Sequence, residues 1–182
     1  MHTKKISLAI VASLILFSLI SAPVYAQKNN RQQRNEGSSV VVSESNKAEL
    51  VYLYQEEKLA RDLYTKLYEK WGLNVFKNIS KSEQKHMNSV ANLAKKASVQ
   101  LPTNLADGKF ENSDLQNLYN KLLSDGLSSK EAAIKVGIMV EETDIKDLQK
   151  TLSNSSDSNV KKVLNSLLKG SERHLKAFKN NL

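Results

Sequence analysis

Residues 79–90 read ISKSEQKHMNSV. Ile79, Glu83, His86 and Val90 recur at steps of four, three and four, and Phe76 upstream with Leu93 and Ala97 downstream extends the line. That spacing is one face of an α-helix and predicts a helix over about residues 75–98. Ser80-x-x-Glu83 has the spacing of a capping box, but the seam continues upstream and places Glu83 mid-helix, facing inward. A core face with a glutamate and a histidine one turn apart needs a reason. A buried carboxylate is costly unless it is paired or holds a metal.

Working outward, Leu53, Ala60, Tyr64, Leu67 and Trp71 form a preceding seam, and Gly72 stops it, so a first long helix is expected over about 47–71. So short a connection to the helix at 75–98 makes the two antiparallel neighbours. Downstream, QLPTNLADGKF is loop, and SDLQNLYNKLLSDG reads as a short helix capped by Ser113 and stopped by Gly126. A third long helix opens on Ser128-x-x-Glu131 and runs to about Leu152. SNSSDSN is a turn with Ser156 or Asp157 as cap, and a fourth long helix follows over about 158–180 on the seam Val160, Leu164, Leu167, Phe178. The expected fold is all-α: an antiparallel four-helix bundle of the ferritin-like topology, with one long crossover between helices 2 and 3 that carries the short extra helix.

Every long seam has a polar interruption. The first places Glu57 inward, the second Glu83 and His86, the third (138, 142, 145, 149, 152) Glu142, and the fourth Ser171 and His174. Three carboxylates and two imidazoles converging without a cation would repel one another. Iron or manganese suits that donor set and leaves positions open for peroxide or dioxygen. Glu56, Glu141 and Glu172 read as solvated or paired with nearby lysines, and Tyr64 as a packing residue within reach of a ligand carboxylate. Ion pairs of Glu57 with Arg61 and of Glu142 with Lys146 are the alternative reading.

The halves also repeat. Gln55-Glu56-Glu57 through Asp62-Leu63 aligns with Val140-Glu141-Glu142 through Asp147-Leu148, and Ser82-Glu83-Gln84-Lys85-His86 with Gly170-Ser171-Glu172-Arg173-His174. This pattern suggests a duplicated helix hairpin. Across residues 50–178, the strings EEKLARDLY, LYEKWGLNVFKNISKSEQKHM, VGIMVEETDIKDL and LLKGSERHLKAF resemble the ferritin-like superfamily, in its branch called domain of unknown function 2202. The resemblance implies, through rubrerythrins and ferritins, a carboxylate-bridged di-iron centre. Glu57, Glu83 and His86 match the first-half ligands, and Glu142 with His174 the second half. It also implies a homodimer. Ser171 departs from the pattern at the place of a second bridging glutamate, so a mononuclear or asymmetric site is an equal alternative.

The 182-residue chain carries net charge +8 and no cysteine, which removes disulfides, iron–sulfur clusters and thiol chemistry together. Without the cysteine-rich module of rubrerythrins, redox turnover needs an external electron donor. The start, MHTKKISLAIVASLILFSLISAPVYAQ, has two lysines, an apolar run and a small-x-small site at Val24-Tyr25-Ala26. It reads as a cleaved signal peptide over 1–26, so the protein is expected to be exported. Residues 27–46 read as a flexible polar linker and 47–182 as the domain. Cleavage removes Lys4 and Lys5 and no acid, leaving +6. No basic tract interleaves with aromatics, so a nucleic-acid partner is not expected, whereas an anionic cell envelope is. Two functions follow: a metalloprotein acting on peroxide or iron(II), or a non-catalytic envelope module that has lost a full metal site.

Overall fold

The computed structural model describes residues 43–182, all-helical and without strands among them. The signal peptide and most of the linker expected from the sequence lie outside the described residues. Five helices follow in order: α1 Glu44–Trp71, α2 Asn74–Lys96, α3 Ser113–Gly126, α4 Lys130–Asn154 and α5 Ser158–Lys179. None is long and apolar enough to cross a membrane.

α1 begins at Glu44, inside the segment read as linker, because Ser43 caps it by accepting from the Asn46 amide at 3.3 Å. Gly72 ends it in the left-handed region at φ 67°, where its amide closes on Tyr68. The other caps sit within a residue of expectation. Asn112, not Ser113, caps α3 by accepting two amides, and Asp157 caps α5 in the same way. The Ser128 capping box does not form: Ser129 caps α4 by accepting from Ala132, and Glu131 pairs with Lys135 instead.

α1 packs chiefly on α2 and α4 on α5; α1 also meets α4, and α2 meets α5. α3 lies in the connection from α2 to α4 and packs on α1 and α4. Its end is pinned where the Trp71 indole donates to the Gly126 carbonyl at 2.9 Å. The loop before α3 is fastened to α1 by buried polar groups. Lys58 donates to Asp62 and to the Ala106 carbonyl, Asp62 accepts from the Gly108 amide, and Gln55 accepts from the amides of Glu111 and Asn112.

The apolar core is in two parts. One gathers Leu63, Tyr64, Leu67, Phe76, Ile134 and Phe178 with their neighbours, and the other Leu50, Val90, Leu93, Leu148, Leu164 and Leu167 with theirs. Between these groups along α1, α2, α4 and α5 fall the buried polar residues Glu57, Glu83, His86, Glu141, Ser171 and His174. The polar interruptions of the seams thus form one layer between two apolar ones.

Candidate metal centre

Glu83 stands between the two imidazoles. Its Oε2 lies 2.7 Å from Nδ1 of His86 and its Oε1 2.8 Å from Nδ1 of His174. The rings stack with centroids 5.3 Å apart and planes 27° from parallel. Each histidine has a second carboxylate near the same nitrogen: Glu57 at 3.2 Å from His86, and Glu141 at 3.6 Å from His174. Further out, the Tyr64 hydroxyl donates to Glu141 at 2.7 Å, the Ser171 hydroxyl to Asp144 at 2.5 Å, and Ser82 Oγ lies 2.9 Å from Nε2 of His174.

Among the described residues four buried side-chain polar atoms lack a hydrogen bond, and three of them are here: Glu57 Oε1, Glu83 Oε1 and His174 Nδ1. The last two lie 2.8 Å from each other, an ion pair when the ring is protonated, so Glu57 Oε1 is the one of the three with no close polar partner among the described residues. Buried polar atoms normally find partners. Buried carboxylate oxygens and imidazole nitrogens facing one another fit a divalent cation, and carboxylate with imidazole is the donor set of iron, manganese and zinc. One ligand atom each from Glu83, His86 and His174 falls within 4.8 Å of the others.

The structure brings together Glu57, Glu83, His86 and His174, as the seams predict, but not Glu142. Glu142 is exposed and pairs with Lys179 at 2.9 Å, and Glu141 takes the inward place. The inward line of α4 is Ile134, Gly137, Glu141, Asp144 and Leu148, one residue off the expected seam. Gly137 explains the slip. A Cβ there would stand 2.7 Å from the Phe178 ring, so this core position is kept empty for an aromatic and shows no hydrophobic signal. The repeat alignment fails at the same point: the carboxylates that reach His174 and Ser171 are Glu141 and Asp144. The alternative ion pairs with Arg61 and Lys146 are not the ones found: Glu57 pairs with His86 and Glu142 with Lys179. Arg61 instead bonds Asp62 and Gln84. Glu56 is half-buried rather than solvated, and burial, with Asp144 and Asp147 nearby, pushes its carboxyl up.

The family model described as Uncharacterized protein domain (DUF2202) matches residues 46–182. The chain belongs to this family. The uncharacterized protein MJ0754 of Methanocaldococcus jannaschii is 43% identical over 138 residues, covering 75% of each chain. Its crystal structure, described as that of a hypothetical protein, superposes with a TM-score of 0.74 at 39% identity, covering 83% of each chain.

In this DUF2202 domain the protons are unevenly held. Burial works against charged imidazoles, but Glu57 and Glu83 outweigh it and hold His86 up at about 10, and Glu141 with Glu83 holds His174 at about 9. Burial also opposes the charge on Glu83, yet the two imidazoles bring it down to about 2. The other carboxyls go the opposite way. Burial, with the nearby charge of Glu83, pushes Glu141 up to about 8 and Asp144 to about 7, and burial with Asp144 and Glu83 pushes Glu57 well above its usual value.

A group raised on folding stabilises fully below its unfolded value and loses that contribution as pH rises through the folded one. The windows are 3.8 to about 7 for Asp144, 4.5 to about 8 for Glu141, and 6.5 to about 9 and 10 for the histidines. Glu83, lowered, contributes above 4.5 and loses it as pH falls toward about 2. The metal-free domain should therefore melt at a lower temperature near pH 9 than near pH 5. Metal displaces these protons, so manganese(II) should raise the melting point more at the higher pH. Thermal unfolding with chelator and with manganese(II) at both pH values checks this. A metal-free melting point that rises from pH 5 to pH 9 would contradict the assignment of these protons.

Proposed function

We propose that this protein is an exported, ferritin-like metal-binding protein whose centre holds iron or manganese and acts on peroxide or iron(II). The fold is read as an antiparallel four-helix bundle of α1, α2, α4 and α5, with α3 in the single long crossover. The observation that carries the reading is the convergence of Glu57, Glu83 and Glu141 on two buried histidines that both turn Nδ1 toward Glu83, with Glu57 Oε1 left without a hydrogen bond. Glu57, Glu83, His86, His174 and Glu141 would hold the metal, which supplies the redox chemistry. The chain's own part is to gather these donors, keep them among apolar neighbours, and give up their protons as the ion enters.

The second reading, a non-catalytic envelope module, is favoured by one feature: Ser171 stands where a second bridging carboxylate would complete the symmetry and spends its hydroxyl on Asp144. Elemental analysis of residues 27–182, purified without chelator and again after anaerobic iron(II) loading, separates the two readings. The metalloprotein reading expects one or two ions per chain, lost in the His86→Ala/His174→Ala double variant. No metal in either protein would leave the module.

A further inference from the structure

The two histidines both turn Nδ1 toward Glu83 and differ on their outer sides. In the repeat, Ser82 of α2 is the equivalent of Gly170 of α5, each one position before the 83/171 pair. In the structure each lies against the outer nitrogen of the opposite helix's imidazole. Ser82 Oγ is 2.9 Å from Nε2 of His174. At Gly170 a Cβ would stand 2.4 Å from Nε2 of His86, so the ring packs directly on the glycine backbone and leaves no room for a side chain. Among the described residues no hydrogen bond is found to Nε2 of His86.

We propose that Ser82 is the positioning residue of His174, and that the Ser82/Gly170 difference makes the two imidazoles unequal ligands, His174 tethered by a side chain and His86 set against a bare glycine. This inference rests on the metal-binding reading for its consequence, but the tether itself does not. When Nδ1 faces a metal or a carboxylate and Nε2 carries a proton, the Ser82 oxygen accepts that proton's hydrogen bond. It thereby fixes both the ring rotation and which nitrogen is free to ligate. The arrangement explains why serine occurs at different places in the two halves. At 82 it orients a histidine; at 171, one position later, it turns to Asp144.

Two measurements on the chain from residue 27 to residue 182 test it. In the metal-free protein, nitrogen-15 NMR should show the Nε2 proton of His174 exchanging slowly with water in the parent and in Ser82→Thr, but quickly in Ser82→Ala, with the His86 ring resonances unchanged. In the second, cobalt(II) is titrated as an optical probe. Outer partners of ligating histidines are worth about 10–100-fold in affinity. Ser82→Ala should lose that much, Ser82→Thr should recover it, and Gly170→Ala should weaken binding through His86 without altering the His174 exchange. Equal exchange in Ser82→Ala and the parent would overturn the tether. Slow exchange lost in Ser82→Ala alongside unchanged cobalt affinity would overturn its role in ligation. A parent protein that takes up no cobalt while the exchange difference is present would sink the metal reading and leave Ser82 as the orienting partner of His174.

Discussion

A Glu83→Gln protein should bind iron(II) or manganese(II) at least ~100-fold more weakly than the parent, since loss of a mere outer partner already costs about 10–100-fold. Among the described residues, Glu83 is the one carboxylate within 3 Å of both histidines, at 2.7 and 2.8 Å from their Nδ1 atoms. Glutamine keeps the shape and removes the charge, so the helices should still pack. The same change withdraws the counter-charge shared by both imidazoles, and the pKa values of His86 and His174 should fall together. Calorimetric metal titration and NMR titration of the two rings read these effects separately. Parent-like metal affinity in the variant would remove Glu83 from the ligand set, whatever the histidines do.

Asp62→Ala should destabilise the domain by about 3–5 kcal/mol, the usual result of breaking a buried ion pair from one side. Asp62 and its partner Lys58 have side chains only 1% and 4% exposed, with Nζ and Oδ2 2.5 Å apart. Alanine would leave the Lys58 ammonium with the Ala106 carbonyl and the Phe110 face, and the Gly108 amide without its acceptor. In a domain of this size the melting point should drop by ~10 °C. Lys58→Met/Asp62→Leu should lose less, because the buried Lys58 charge leaves with its partner, while Arg61 at the surface keeps Gln84 and Asp107 and the Gly108 amide still lacks its acceptor. Thermal unfolding in chelator, which silences the metal, measures both. A single variant that melts within about 2 °C of the parent would show that the pair does not hold the loop.

Much of this architecture is legible in the chain because apolar spacing and stop signals agree along α1, α2 and α5. Leu53 to Trp71 ends on Gly72, and Phe76 to Ala97 carries Glu83 and His86 on the buried side, as the spacing demands. α4 is harder. Its true inward line contains a glycine and two acids, Gly137, Glu141 and Asp144, while Ile138 and Ile145 on the flank offer a stronger apolar rhythm. Hydrophobic period therefore selects the wrong glutamate of the Glu141-Glu142 pair. Only the Phe178 ring, from another helix, shows why position 137 is bare. Ser82 and Gly170 are invisible for a related reason: their partners sit across a helix interface, on His174 and His86. The loop clamp is hidden too, since Gln55, Lys58 and Asp62 read as ordinary polar helix residues until the segment from Ala106 to Asn112 is laid against them.

The polar layer between the two apolar groups also acts as a registration mark. Leucine, valine and phenylalanine contacts are forgiving, and helices packed through them can slide by a turn and find other apolar neighbours. A slide of about 5.4 Å along α2 toward its start would carry Glu83 away from His174 to the height of Ile79, abandoning a charge among hydrocarbon. Each of the four long helices contributes to this one level, so a slip of any of them is penalised at the same place. Heights along the helices are set by a few polar groups, while the apolar clusters supply most of the burial.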